Sequence, residues 1–319
     1  MLIPRFVVWI FAVGMMVLSA GAVFAQDYPN KVIRIVATGA GSFPDVVARL
    51  IAQALTGSLG QRVIVENRGI TAPELVAKAP PDGYTLLVYT SVVWLLPFLQ
   101  ENVVWDPVRD FSPVTLAASS PSIIVVHPSL PVKSVNELIA LAKARPGELN
   151  YSSSSIGSAT HLAPELFKAM ADVNIVRINY KGAGPALAAL LSGEVHLMFP
   201  SAGGATPHIK SGRLRALAVA SLEPSALAPG LPTLAATGLS GFEAATLVGM
   251  FAPAKTPATL IHRLNQESVQ ALQRAEVKER ISGGGGEVVA SSPEEFAAKI
   301  KSEMVKWGKV IKDAGIHPE

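Results

Sequence analysis

Apolar and polar positions along the chain alternate between short β-branched runs and longer stretches that are apolar every third or fourth residue. VIRIVAT (32–38) predicts a first strand, GAGSFPD (39–45) a turn, and DVVARLIAQALTG (45–57) a helix stopped by Gly57. RVIVEN (62–67) predicts a second strand with the helix PELVAKA (73–79) behind it. DGYTLLVYTS (82–91) is a third, leaving a turn at Pro81, Asp82 and Gly83. Strand, helix, strand in this order predicts a parallel sheet covered on both faces.

A second alternation starts from PSIIVVHPSLPV (121–132). Ser134 and Glu137 form a capping box for VNELIALAKA (135–144), which ends before Pro146. ELNY (148–151) reads as a strand and LAPELFKAM (162–170) as a helix. IVRINY (175–180) is a strand, KGAGP (181–185) a turn and ALAALLSG (186–193) a helix. EVHLMF (194–199) and LRALAVAS (214–221) are strands on either side of a Gly-rich turn. After TLVGMFAPAKTP (246–257), Pro257 opens a helix through Arg274, and SGGGGE (282–287) reads as flexible. In the last helix Ser292 caps, Pro293 takes the first position and Glu295 completes the box. Phe296, Ile300, Met304, Trp307, Ile311 and Ala314 give it one apolar face, expected to lie across the first α/β unit. No internal repeat of fixed period is visible.

The hydroxyl-rich stretch YSSSSIGSATHLAPELFKAM (151–170) stands apart. Pro164 is tolerated in or near a first turn, so the helix is expected to begin between Ser158 and His161. Its first amides, the positive end of the helix dipole and the hydroxyls of Ser153, Ser154, Ser158 and Thr160 together suit a carboxylate or phosphate. A plain N-cap at Ser158 or Thr160 is the competing reading. GAGSFPD, SSSSIGSAT and KGAGPA each end a strand and open a helix, where ligands of open α/β sheets gather. Asp45 is the main acidic residue of these turns and also suits a helix cap. Small residues around exposed amides suit binding and release better than bond breaking.

Composition narrows the field. Arg5, the apolar run FVVWIFAVGMMVL and the ending VFA make residues 1–25 a cleavable secretory signal peptide, with the mature chain starting at Gln26. An uncleaved membrane anchor is the rival reading. The net charge of +3, without a basic run, argues against a nucleic-acid partner. Without cysteine there are no disulfides, so stability must come from burial, which a half-hydrophobic, 16% charged chain of this length can supply. The six histidines make no metal-binding spacing, and neither G-x-S-x-G nor a serine three residues before a lysine occurs, so no metal, cofactor or hydrolase motif is expected.

The blocks VENR, KAPPDGYTLL, DFSPVTL, SSSSIGSATHLAPELF, NYKGAGPALAALLSGEVHLMF, PHIKSGRLRALAV, LPTLAATGLSGFE, FAPAKTP, SPEEFAAKI and KWGKVIKDAGI occur in order through nearly the whole chain. They resemble the substrate-binding proteins of tripartite tricarboxylate transporters, the Bug family of periplasmic receptors. The resemblance implies a two-lobe α/β periplasmic binding protein of type II-like form, each lobe a mostly parallel sheet flanked by helices, with a ligand crevice between. Lobe one would comprise 26–125 and 241–319, and lobe two 126–240. It implies a monomer that captures a small organic acid and delivers it to a membrane permease with one large and one small subunit. The implied ligand contacts are Thr38, Gly41, Ser42 and Asp45 in lobe one, and Ser153, Ser154, Gly157, Ser158, Thr160, His161, Tyr180, Lys181, Gly182 and Ser201 in lobe two.

Three departures from the family pattern bear on the ligand. The loop GITAPE after Arg68 is short, where a longer loop commonly grips one end of a diacid. Phe43 stands in the first turn, and Pro200 where many members carry an acid. These hint at a monocarboxylate or aromatic acid. Two other readings compete with transport: a receptor read by a membrane sensor, and a secreted hydrolase using a crevice serine with His161.

Overall fold

A computed structural model describes residues 28–313 and contains two α/β lobes, each built on its own sheet. The first sheet holds β1 (Ile33–Ala37), β2 (Val63–Asn67), β3 (Thr85–Thr90), β4 (Phe111–Pro121), β10 (Ala245–Pro253) and β11 (Glu287–Val288), in the order β11-β4-β10-β3-β1-β2. Its helices are α1 (Phe43–Leu59), α2 (Ala72–Ala77), α3 (Val92–Leu95), α8 (Ala258–Gln273), α9 (Ala275–Gly283) and α10 (Pro293–Asp313). The second sheet, in the order β7-β6-β8-β5-β9, holds β5 (Ile123–Val126), β6 (Asn150–Ser153), β7 (Val176–Asn179), β8 (Leu197–Met198) and β9 (Arg215–Val219). With it go α4 (Val135–Ala144), α5 (Ala159–Ala171), α6 (Ala183–Ser192) and α7 (Ala202–Lys210).

Both sheets are mixed rather than mostly parallel. The alternating segments give parallel pairs, β1 with β2 and β3, and β6 with β7 and β8. The strands that carry the chain between lobes have no crossover helix, so they add antiparallel: β10 against β3 and β4, and β5 against β8 and β9. β4 runs straight into β5 through Ser122, whose N–H donates to the Ala244 carbonyl (3.1 Å) and whose carbonyl accepts from Ala220 (2.8 Å). The outgoing and returning chains are thus tied together where they cross.

Burial explains why the lobes stay together. Ile33, Ile35, Leu86 and Val88 bury one face of the first sheet under Ile51, Leu55 and Leu264. A second apolar cluster is continuous across the junction, from Trp94, Leu96, Phe251 and Phe296 to Leu162, Phe167 and Phe199. The second lobe has its own smaller core around Ile123, Val125, Leu190 and Met198.

Several elements differ from the sequence expectation. α1 runs through Gly57 to Leu59 and ends at Gly60, whose φ of 69° is the left-handed conformation a helix C-terminus uses. β6 extends through Ser153, so part of the hydroxyl run is strand. Pro164 lies in the second turn of α5, leaving the Thr160 carbonyl without its helical N–H partner. The Gly-rich turn after β8 is α7, and Gly203 serves close packing: a Cβ on it would overlap the Gly284 carbonyl. SGGGGE is not loose. Ser282 and Gly283 complete α9, and Gly284 to Gly286 pack against Gly203 and the Phe43 ring.

The last helix forms as read. Ser292 N–H donates to the Glu295 carboxylate (2.8 Å) and Glu295 N–H to Ser292 Oγ (3.1 Å), while Phe296, Ile300, Trp307 and Ile311 are buried against the first lobe. The signal-peptide reading and Ala314 fall outside the described residues.

Candidate functional site

The turn after β1 is closed by its own polar groups. Thr38 Oγ1 and Ser42 Oγ are 2.9 Å apart, Ser42 Oγ donates to the Gly39 carbonyl (2.8 Å), and Ser42 caps α1 by accepting from Asp45 N–H (3.4 Å). The Asp45 carboxylate, 3% exposed, accepts from Gly41 N–H (2.9 Å), Asn67 Nδ2 (2.8 Å) and Arg49 Nε (3.1 Å). Burial alone would raise its pKa; the donors Asn67, Gly41 and Arg49 outweigh that and hold it below the usual value. Both Asp45 oxygens are thus engaged inside the fold, where they shape the turn. The Gly41 amide is likewise committed, and Gly41 is needed for its φ of 75°. The partly buried Phe43 ring lies on Gly284 and Gly286.

The second turn joins β6 to α5. Ser154, Ser158 and Thr160 form a triangle of hydroxyls, with Oγ distances of 3.0 Å between Ser154 and Ser158, 2.7 Å between Ser154 and Thr160, and 2.9 Å between Ser158 and Thr160. Ser154 N–H also donates to Thr160 Oγ1 (3.0 Å). Ser158 occupies the N-cap position without making a side-chain cap bond, and among the described residues the amides of Ala159 and Thr160 have no partner. Hydroxyls and amide donors are thereby gathered at the positive end of a 13-residue helix.

His161 stands behind this turn. It is 3% exposed, and Gly157 N–H donates to its Nδ1 (3.2 Å), which puts the imidazole proton on Nε2. Burial, then the positive charges of Arg177 and Lys168, push its pKa down to about 3, so the ring is neutral near neutral pH. The unfolded chain would bind this proton near pH 6.5, about three units higher. The stability His161 contributes is therefore fully present above that value and is lost as pH falls toward 3. Stability should drop by up to about 1.4 kcal/mol per pH unit across this window, and His161→Gln should remove that share of the slope. Urea unfolding from neutral pH to about pH 4 checks it; equal slopes in both proteins would exclude His161 as the group responsible.

Tyr180, Lys181 and Gly182 follow β7. Tyr180 N–H donates to the Ser153 carbonyl (2.9 Å), tying this turn to the hydroxyl turn, and its phenol donates to Glu194 (2.8 Å). Lys181 is exposed, and Gly182 begins α6 with a φ of 129°, which favours glycine. Ser201 starts α7 without a side-chain cap bond. Arg177 escaped the sequence reading: its Nε donates to Ser153 Oγ (2.9 Å), and the pairing of Tyr151 with Arg177 sets it on the Ser153 side of the sheet. A basic residue inside IVRINY, beside a hydroxyl-rich strand end, was the available signal.

Contacts across the junction assemble these pieces. The 284–286 loop touches Phe43 of the first turn and Gly203 of α7, while a Cβ on Gly157 of the second turn would stand 3.4 Å from Leu99 and 3.6 Å from Leu96 N, after β3. The second turn and the start of α7 thus meet the opposite lobe, while the first turn packs on the 284–286 loop of its own lobe. A separate groove of about 300 Å³ between α1 and α9, lined by Leu50, Gln53, Arg274 and Arg280 among others, includes none of these turn residues.

Comparison with known proteins bears on this arrangement. Residues 47–316 match the model of the tripartite tricarboxylate transporter family receptor. BugT of Bordetella pertussis is 35% identical over 95% of this chain and 96% of its own length. The structure of Rpa4515 from R. palustris with adipate is similar with a TM-score of 0.86 and 35% identity, over 92% of this chain and 100% of that one. MatC from Rhodopseudomonas palustris with bound malate has a TM-score of 0.81 and 29% identity, over 89% and 100%. The chain belongs to the tripartite tricarboxylate transporter family of receptors.

Proposed function

We propose that this protein is a periplasmic solute-binding receptor that captures a small carboxylate between its lobes and hands it to a membrane permease of one large and one small subunit. The observation that carries this is the start of α5, where two amides unpartnered among the described residues and a triangle of hydroxyls face the lobe junction beside a neutral histidine. Such a donor set suits an oxyanion, and His161, whose Nδ1 is taken by the Gly157 N–H, makes no hydrogen bond to these hydroxyls among the described residues. Ser153, Ser154, Gly157, Ser158, Thr160 and His161, with Tyr180, Lys181, Gly182 and Ser201, form the lobe-two half; Thr38, Gly41 and Ser42 form the other, and Asp45 positions them. In this reading residues 26–125 and 241–319 make one lobe and 126–240 the other, the crossing strands act as the hinge, the receptor works as a monomer, and residues 1–25 direct export. Adipate and malate in the two similar structures support the ligand class.

A thermal-shift screen against adipate, malate, benzoate, amino acids and sugars tests the reading. A ligand at a hundred times its dissociation constant should stabilise the fold by about 2.7 kcal/mol, a rise of roughly 5 °C or more. Ser158→Leu should abolish the shift while leaving the ligand-free midpoint close to wild type. A response to sugars alone would overturn the carboxylate reading, and an unfolded Ser158→Leu protein would mean that the hydroxyl cluster serves the fold.

A further inference from the structure

The edge strand β7 reaches into the hydroxyl turn with one side chain. In the parallel pairing of β6 with β7, Tyr151 stands opposite Arg177 and Ser153 opposite Asn179, so these four side chains lie on one face of the sheet. α5 covers that face, because Tyr151 shares an apolar cluster with Leu162 and Phe167. Arg177 leans toward the carboxyl ends of the strands: its Nε donates to Ser153 Oγ (2.9 Å) and its Nη2 to Asn179 Oδ1 (3.2 Å). After burial, its charge is the largest influence that keeps His161 neutral, so the guanidinium stands near the first turn of α5.

Ser153 is the last residue of β6 and is completely buried. β7 holds it twice, since Tyr180 N–H donates to its carbonyl (2.9 Å) and Arg177 takes a lone pair of its Oγ. A hydroxyl has one proton and two lone pairs. With Nε–H on a lone pair, the Ser153 proton must point elsewhere, and among the described residues no acceptor receives it. Buried donors left without an acceptor are rare. The bond from the guanidinium is also charge-assisted, and it polarises the serine O–H into a stronger donor.

What this donor lacks is an oxygen acceptor, and the amides of Ala159 and Thr160 at the start of α5 lack one too among the described residues. One carboxylate oxygen pair would serve both. Resting on the carboxylate reading above, we infer that Arg177 is a positioning residue of the site: it fixes Ser153 with the hydroxyl proton turned toward the bound carboxylate, and it raises affinity through that serine without touching the ligand.

The test is calorimetric titration of wild type, Arg177→Gln, Ser153→Ala and the double variant with adipate and with malate. Each single variant should lose at least about tenfold in affinity for the acid that wild type binds. The double variant should lose no more than the weaker of the two, because Arg177 acts only through Ser153. A merely structural arginine would instead cost affinity equally in both backgrounds. Should Arg177→Gln fail to fold, Arg177→Lys carries the comparison, since it keeps a cation on β7 but not the paired donors, and the same pattern is expected. Wild-type affinity in the arginine variant, or losses that multiply in the double variant, would each overturn the positioning role and leave the carboxylate reading standing. Binding of neither acid by wild type would remove that reading, and the positioning role with it.

Discussion

Gly203→Ala is expected to weaken ligand binding by at least about tenfold while each lobe stays folded. The added Cβ would overlap the carbonyl of Gly284 and stand 2.9 Å from Gly285 N, and these are backbone atoms that cannot swing aside. Their loop is pinned. Gly284 N–H donates to Arg280 (3.0 Å), Gly285 N–H to Ser282 (2.8 Å), Gly286 N–H to Ile281 (2.9 Å), and the Gly285 carbonyl accepts from Ser120. The start of α7 is fixed too, through Ser201 on Ser122 and Pro200 on Ile123. Relief must come from parting the lobes, at a cost of about 1–3 kcal/mol against the arrangement that encloses a ligand. Calorimetry and small-angle scattering would read this as weaker affinity and a larger radius of gyration. Gly204→Ala is the control, since its nearest neighbour would be Ser201 Oγ at 3.5 Å, and it should bind as wild type does. If Gly203→Ala matched wild type in both measurements, the glycine contact would not govern closure.

That contact shows where the sequence ceased to be legible. Strand–turn–helix units are local, so the runs at 32–57 and 148–170 carried their own signals: β-branched periodicity, hydroxyls and glycine at the turn, a helical apolar stripe. Partners far apart in the chain left weaker traces. Asp45 could be recognised as acidic and near a helix start, but its engagement by Asn67, 22 positions away, needs the β1–β2 pairing to bring them together. In AGGATPHIK the glycines argued for a turn on propensity, whereas packing on Gly284 and Gly285 imposed a helix with no side chain at that face. β4 hid for another reason. Its 11 residues mix Pro113 with serines and alanines, a pattern without strand periodicity, and only antiparallel pairing with β10 makes it a strand.

Phe296→Ala should be the most destabilising change to the hydrophobic core, about 3–5 kcal/mol, lowering the unfolding midpoint by roughly 10 °C. The ring is completely buried, 5.0 Å from the Phe251 ring and 6.0 Å edge-on from Trp94, and it lies flush over Gly249 of β10. It anchors α10 immediately after its capping box, so losing it frees the helix that covers β4. A double-mutant cycle with Gly249→Ala isolates the contact. In the wild-type background the new methyl would drive into the ring and destabilise, but in the Phe296→Ala background it would enter the vacated space and cost little or even stabilise. Guanidinium melts of the four proteins measure the coupling, and strictly additive losses would refute the packing of Phe296 on Gly249. The ring neighbours of Phe296 among the described residues are Trp94, Phe251 and Gly249, none of them in the turns, so the folded Phe296→Ala protein should bind its carboxylate with wild-type affinity. That result would assign stability of the first lobe to the C-terminal helix and recognition to the turns at the junction.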